Sequence, residues 1–290
     1  MKKKILFIIN PISGGKSKKG FPQAVKHYLD QEKFSADFVF TEFSGHAIKA
    51  AEEGVMAGSE IIVAVGGDGT INEIASILEG TNFAMGIVPF GSGNGLARSL
   101  GIPLVQNDAI ARLNQATVVR IDTAMLNKRK FFNIAGMGFD AQISNRFANH
   151  QTRGLTGYIR TTFSEVTNYE PQNYQVEIDG SVLERKAFMI SIANSSQFGN
   201  NAHISPTASL TDGLLDVCII RPFPLYHLPM MGYHMFSNTT DQSRYVEIIK
   251  GRSIKITRET DGPIHLDGEP VFMNREISIV VNPLSLSILV

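Results

Sequence analysis

The sequence predicts an α/β domain with a parallel sheet over residues 1–120, followed by a domain of mostly antiparallel β-strands over residues 121–290. Three observations carry this. Ile5-Leu6-Phe7-Ile8-Ile9 and Ile61-Ile62-Val63-Ala64-Val65 are apolar without alternation, as strands buried on both faces of a parallel sheet must be. Helix-like stretches separate such runs through the first 115 or so residues, which implies right-handed crossovers in a doubly wound sheet. Beyond Val118 the pattern changes to short strands, several alternating like Tyr174-Gln175-Val176-Glu177-Ile178, with turn pairs such as Asp179-Gly180.

In chain order, strand Ile5–Ile9 ends in Asn10-Pro11-Ile12-Ser13-Gly14-Gly15-Lys16, a glycine-bearing loop that lacks the Gly-Lys-Ser/Thr spacing of a P-loop. Lys16, Lys18 and Lys19 read as a solvated face that could meet phosphate or anionic lipid. A helix over about 20–31, strand Ala36–Thr41 and a helix from Ser44 to Gly58 follow. The buried strand 61–65 then delivers Gly66-Gly67-Asp68-Gly69-Thr70, with a helix over about 71–79. Strand, glycine turn and helix start bring bare amides and a positive helix end to one point, which suits phosphate. Asp68 at that point calls for a cation between carboxylate and phosphate, and so suggests metal-bridged nucleotide. Strand Ala84–Pro89 leads to a third glycine loop, Phe90-Gly91-Ser92-Gly93-Asn94-Gly95-Leu96-Ala97-Arg98, where Asn94 and Arg98 are available for hydrogen bonds or charge. Asn107-Asp108 caps a helix to about Gln115. In the second half, strands are expected at Met125–Leu126, Phe131–Ala135, Tyr174–Ile178, Ala187–Ala193, Leu215–Ile220, Ser253–Thr257, Ile277–Val281 and Leu284–Val290, with helices near 140–168 and 223–238.

Composition narrows the class. A chain of 290 residues with 43% hydrophobic and 19% charged residues buries a real core, and 27 basic against 27 acidic residues give bulk electrostatics no pull toward nucleic acid. The lone cysteine, Cys218, lies in an apolar run and reads as a small buried hydrophobe. Lys2-Lys3-Lys4 before five apolar residues falls short of a secretion signal, whose apolar region runs about 7–15 residues. No run approaches the roughly 18 apolar residues of a membrane span. A cytoplasmic protein, peripheral to the inner face of the membrane, is the expectation. No His-Glu-x-x-His pair points to zinc and no Gly-x-Ser-x-Gly to a hydrolase nucleophile.

The ordered motifs Asn10-Pro11-x-Ser13-Gly14, Gly66-Gly67-Asp68-Gly69-Thr70 with Asn72-Glu73, Gly91-Ser92-Gly93-Asn94-x-Leu96-Ala97-Arg98 and Leu266-Asp267-Gly268-Glu269 resemble the diacylglycerol kinase catalytic family of lipid kinases, which includes bacterial diacylglycerol kinases and sphingosine kinases. Ile121-Asp122, Phe132-Asn133-x-x-Gly136-x-Gly138-Phe139-Asp140 and Asp212-Gly213-x-Leu215-Asp216-Val217 extend the resemblance over nearly the whole chain. It implies a fold like that of NAD kinase and diacylglycerol kinase, with ATP in a cleft between the α/β domain and a C-terminal antiparallel β-sandwich, and a last strand that can return to the first domain. By motif, Asn10, Pro11, Ile12, Ser13, Gly14, Thr41, Gly66, Gly67, Asp68, Gly69, Thr70, Ile71, Asn72, Glu73, Gly91, Ser92 and Asn94 line the nucleotide site. Asp68 would face phosphates and magnesium, Asp122 would connect to it through water, and Asp267, with Glu269 nearby, would be the general base. Asp212 would hold a structural magnesium with carbonyls near Ser209 and Leu214. Gly91-Ser92-Gly93-Asn94-Gly95 is closer to the sphingosine kinase form than to the Gly-Thr-x-Asn-Asp of many bacterial diacylglycerol kinases.

Phosphoryl transfer to an alcohol passes through a loose transition state, so positioning and charge offset supply most of the acceleration. A carboxylate cannot ionise the alcohol in advance but can take its proton as the new bond forms. Asp68 and Asp267 are both candidates; Asp267 is favoured as base and Asp68 as metal partner. The expected activity is ATP-dependent phosphorylation of a lipid hydroxyl in phospholipid metabolism, diacylglycerol or a related lipid first, with a sphingoid base or NAD as alternative acceptors. A nucleotide-binding regulator without catalysis is the rival of a different class. The uncharged run Phe223–Phe236 would line an acyl groove, touch a bilayer or form a buried helix, and Arg153-Gly154-Leu155-Thr156-Gly157-Tyr158 resembles a family loop near the substrate cleft. Oligomeric state is open, a homodimer included.

Overall fold

The computed structural model describes residues 2–148 and 165–290. The chain divides into two compact units, Met1–Ile121 with Leu284–Val290, and Asp122–Pro283. The first unit runs β1 (Lys3–Ile9), α1 (Phe21–Tyr28), β2 (Phe34–Phe40), α2 (His46–Met56), β3 (Ile61–Gly66), α3 (Asp68–Leu78), β4 (Ala84–Pro89), α4 (Gly95–Ser99) and α5 (Gln106–Arg112). Its strands are parallel in the order β2-β1-β3-β4, and Ser287 and Ile288 add one more parallel strand beside Ala84 and Met85. Ile5, Phe7 and Ile9 pack with Phe21 and Val25 of α1 and Ile110 of α5, while α2 and α3 pack on β1, β3 and β4, so β3 is buried at every position. That two-sided burial is why the sequence runs show no alternation.

Sequence and structure differ at α3. The helix begins at Asp68, three residues ahead of the expected start, with Gly67 as its extended N-cap residue. The glycines make a turn only as far as Gly67, and an aspartate in the first turn is favourable at the positive end of a helix. Asp68 is therefore part of the helix it was expected merely to precede. The short α4 was not anticipated.

The second unit, with the strand that leads into it, contains β5 (Val118–Leu126), β6 (Arg129–Phe131), β7 (Ile134–Gly138), α6 (Phe139–Ala148), β8 (Gln172–Ile178), β9 (Ser181–Ala187), β10 (Met189–Ala193), β11 (Gln197–Gly199), β12 (Ala202–His203), β13 (Leu215–Ile220), α7 (Leu228–Phe236), β14 (Val246–Gly251), β15 (Ser253–Arg258), β16 (Gly262–Leu266), β17 (Glu269–Met273) and β18 (Glu276–Leu289). One antiparallel sheet has the order β14-β13-β10-β7-β16-β17, and β18, β15, β8 and β9 pair antiparallel in another. Ile190, Ile192, Val217 and Ile264 of the first sheet meet Val176, Ile254, Ile256 and Ile277 of the second in a sandwich core. Cys218 and Ile220 point the other way, into a cluster with Phe139 of α6 and Met231 of α7. Burial pushes the pKa of the Cys218 thiol up, as suits a small buried hydrophobe. The two runs expected at 277–281 and 284–290 are one strand, β18, in which Leu284 has a φ of 47°. Residues 149–164 of the helix expected to 168, and with them the Arg153–Tyr158 motif, lie outside the described residues.

Candidate active site

In the first unit three glycine loops meet at the C-terminal ends of β1, β3 and β4. Asn10, just past β1, accepts the Ile12 amide on Oδ1 at 3.2 Å and donates from Nδ2 to Thr70 Oγ1 at 3.2 Å, so one side chain closes its own turn and ties it to α3. The turn Ser13–Gly15 presses Gly14, at φ +63°, onto the Phe90 carbonyl, where any Cβ would collide. The Phe90 amide donates to Gly66 O at 2.7 Å, and a Cβ on Gly91 would lie 2.8 Å from Gly67 Cα. Glycine is needed at 14 and 91 because the loops touch backbone to backbone.

Asp68 fastens two of these loops. Its Oδ2 accepts the Asn94 amide and its Oδ1 the Gly95 amide, each at 3.0 Å, so the carboxylate of α3 caps the start of α4. Asn94 is left-handed at φ 52°, donates from Nδ2 to Gly91 O at 2.8 Å, and keeps Oδ1 buried without a partner. Arg98 Nε reaches Gly93 O at 3.1 Å and Glu73 accepts the Gly45 amide at 3.0 Å, beside the segment whose Thr41 amide bonds Ile9 O. Lys18 is not a solvated cation: it is 2% exposed, its ammonium donates to Ser13 O and Lys16 O, and it lies over the Phe90 ring at 4.6 Å. Burial, with the charge of Lys16, lowers its pKa. The Ile71 side chain is core and its amide bonds Gly67 O, so it offers a nucleotide no group, while Ile12 stands 72% exposed.

In the second unit Asp267 and Gly268, at φ 51° and 88°, form the β16–β17 hairpin turn. The Asp267 carboxylate accepts three consecutive amides, Phe132 on Oδ2 at 3.0 Å and Asn133 and Ile134 on Oδ1 at 2.8 and 3.1 Å. Asn194 supports that wrap from beneath, donating from Nδ2 to Phe132 O and to Asp122 O, each at 2.8 Å. Asp122 is fully buried and accepts the Gly213 amide at 2.7 Å, which anchors the 210–213 turn. Behind the Asp267 turn, His265 Nε2 lies 3.0 Å from Asp140 Oδ2 and its Nδ1 accepts the Gly268 amide at 3.4 Å. Glu269 is exposed at the start of β17. Asp212 meets a lysine: Lys250 Nζ is 2.8 Å from Asp212 Oδ2 and 3.3 Å from Asp216 Oδ1. Burial alone would lower the Lys250 pKa, but the hydrogen bond to Asp212 and the charges of Asp216 and Asp212 outweigh it and hold it above the ordinary lysine value.

Residues 4–126 match the diacylglycerol kinase catalytic domain, and residues 133–290 match the YegS C-terminal NAD kinase beta sandwich-like domain. The chain belongs to the diacylglycerol kinase family of lipid kinases. A Klebsiella pneumoniae protein named as a probable YegS-like lipid kinase is 31% identical over 78% of this chain and 77% of its own length. The Bacillus subtilis protein named diacylglycerol kinase is 25% identical over 92% of this chain and 90% of its own. A solved structure from Bacillus anthracis, described as a diacylglycerol kinase, has a TM-score of 0.74 at 19% identity, covering 99% of this chain and 96% of that one, and so shares the fold.

Within this family the structure brings Asn10, Gly14, Gly67, Asp68, Thr70, Gly91 and Asn94 together in the first unit, and links Asp267 to the Asp122 carbonyl through the Phe132 peptide groups and Asn194 in the second. Sequence reasoning missed Lys18 as a brace, Asn194 as a link and Lys250 as the partner of Asp212. Only the short spacing of Lys18 from Ser13 gave any local signal; the others depend on strand pairing across tens of residues.

Proposed function

We propose that this chain transfers the γ-phosphoryl group of ATP to a lipid hydroxyl, with diacylglycerol or a related glycerolipid as acceptor. The convergence of three glycine loops on Asp68 carries the reading. Gly14 packs on Phe90 O and Gly67 on Gly91, so the loops close backbone to backbone where a Cβ would collide, and Asn94 Oδ1 is buried among them without a partner. These features fit a nucleotide whose phosphates lie along the loop amides and the start of α3. Bound ATP would supply the phosphoryl group, and the accompanying magnesium would offset its charge. Asp68 would take part in holding that ion, because its carboxylate stands in the first turn of α3 where the loops meet.

Asp267 is the group we assign to the acceptor. Three amides fix its carboxylate in one orientation, and a carboxylate held in place is suited to take the alcohol proton as the oxygen attacks. Asp122 acts by holding the 210–213 turn and the carbonyl that Asn194 bridges to Phe132. The assay is transfer of labelled phosphate from ATP to diacylglycerol, a sphingoid base or NAD offered together in mixed micelles. Label in the glycerolipid supports the reading; label only in NAD, or in none of the three, contradicts it.

A lipid acceptor also needs a way to the bilayer, and no helix among the described residues is long and apolar enough to cross one. We assign transient docking to the outer face of α7 and the turn before it. Leu228 and Met231 face the core, yet Leu225, Tyr226, Met230, Tyr233 and Phe236 are exposed. No acidic residue stands between Asp216 and Asp241, and Arg221 and Arg244 flank the run, as suits an anionic surface. The chain has no tryptophan. Tyr233→Trp should therefore report cleanly, shifting to the blue with phosphatidylglycerol vesicles, while Met56→Trp, in the other unit, should not shift. Equal behaviour of the two probes would remove α7 from the docking face.

A further inference from the structure

The resemblance assigns a structural magnesium to Asp212 with carbonyls near Ser209 and Leu214, and the side chains of that loop do not fit it. Asp216 and Lys250 are direct partners in the β13–β14 ladder, so the sheet fixes the lysine opposite a carboxylate that is 1% exposed. From there Lys250 Nζ reaches Asp216 Oδ1 at 3.3 Å, Asp212 Oδ2 at 2.8 Å and Thr207 O at 3.1 Å. Three oxygens from three segments thus surround one ammonium, which has three protons to give.

The remaining side-chain acceptors of the two aspartates and Ser209 are used as well. Asp216 Oδ2 takes the Ser205 hydroxyl and, at 3.5 Å, that of Thr207. Asp212 Oδ1 takes the Leu214 amide at 3.1 Å, and Ser209 Oγ takes the Thr211 amide at 3.3 Å. Magnesium asks for a near-octahedral shell of oxygens at about 2.0–2.1 Å, and it would have to share Asp212 with a positive charge already in contact.

We propose that the Lys250 ammonium is the resident cation of the Asp212–Asp216 loop, and that this unit needs no divalent ion for its stability. A buried carboxylate must have a counter-charge, and Asp216 receives one from its own sheet. Magnesium dependence of the chain then belongs to the nucleotide alone. The inference stands apart from the choice of acceptor, because its readouts are unfolding and metal binding in the absence of nucleotide.

The test is thermal unfolding of the full chain in EDTA and in millimolar Mg2+, with calorimetric titration of Mg2+ into the nucleotide-free protein. For the wild type the two melting temperatures should agree to within about 1 °C, and no Mg2+ binding that is lost in Asp212→Asn should be seen. Lys250→Met should melt roughly 5 °C or more lower, or fail to fold, in either medium, while Lys250→Arg, which keeps the charge, should recover most of the loss. A wild-type melting temperature that falls by several degrees in EDTA and returns with Mg2+ would overturn the inference. So would Lys250→Met melting like the wild type, or Mg2+ titration that depends on Asp212.

Discussion

Asp267→Asn should bind ATP with nearly wild-type affinity and lose turnover by at least about 10²-fold. The substitution changes the least that can be changed. Asn keeps the shape of the side chain and one carbonyl oxygen, which can still accept the Asn133 and Ile134 amides, while its NH2 must face the Phe132 amide now 3.0 Å from Oδ2. That donor-to-donor conflict costs about 1–3 kcal/mol and should appear as a lower melting temperature. Turnover is therefore to be measured well below the variant's own melting temperature, beside ATP binding by calorimetry. Turnover near the wild-type rate in a folded variant would remove Asp267 from proton transfer and return the role to Asp68.

Gly14→Ala should weaken ATP binding by about tenfold or more without touching any group that contacts substrate by its side chain. Two costs add. A non-glycine residue at φ +63° carries strain of order 1–3 kcal/mol, and its Cβ would run into the Phe90 carbonyl, so the Ser13–Gly15 turn must lift from the third loop. Gly15 supplies the control, because its φ is +65° and nothing lies within 4 Å of an added Cβ. Gly15→Ala should carry the strain with and without ATP alike and so keep most of the affinity, whereas the lifted turn in Gly14→Ala accounts for the tenfold, about 1.4 kcal/mol. Equal losses in the two variants would mean that loop contact at Phe90 does not shape the nucleotide site.

The parts legible in sequence were those set by local chemistry. The buried runs of β1, β3 and β4 and the strand Leu215–Ile220 need no knowledge of neighbours, because burial on both faces writes itself as unbroken apolar sequence. Asp179-Gly180 and Asp267-Gly268 were readable as hairpin turns, and both adopt positive φ. What stayed hidden was long-range. Strands β9, β14 and β17 were missed because all three are sheet edges, where half-exposed polar residues blur the pattern. Asp68 looked like a phosphate-facing carboxylate, and only the folded chain shows its oxygens closing the start of α4, twenty-six and twenty-seven residues on. The pairing of Lys250 with Asp216 likewise exists only through sheet register, and that of His265 with Asp140 only through the packing of α6 on β16.

The claim at the centre of this account is that the chain moves the terminal phosphate of ATP onto a lipid alcohol. Phosphorus NMR of the full chain with ATP, Mg2+ and diacylglycerol in mixed micelles tests it most directly. The γ-phosphate signal should fall as one new lipid phosphomonoester signal and ADP rise in equal amounts. Equal rise of ADP and inorganic phosphate without the lipid phosphomonoester, or ATP left intact by a folded protein in the presence of every acceptor offered, would contradict it.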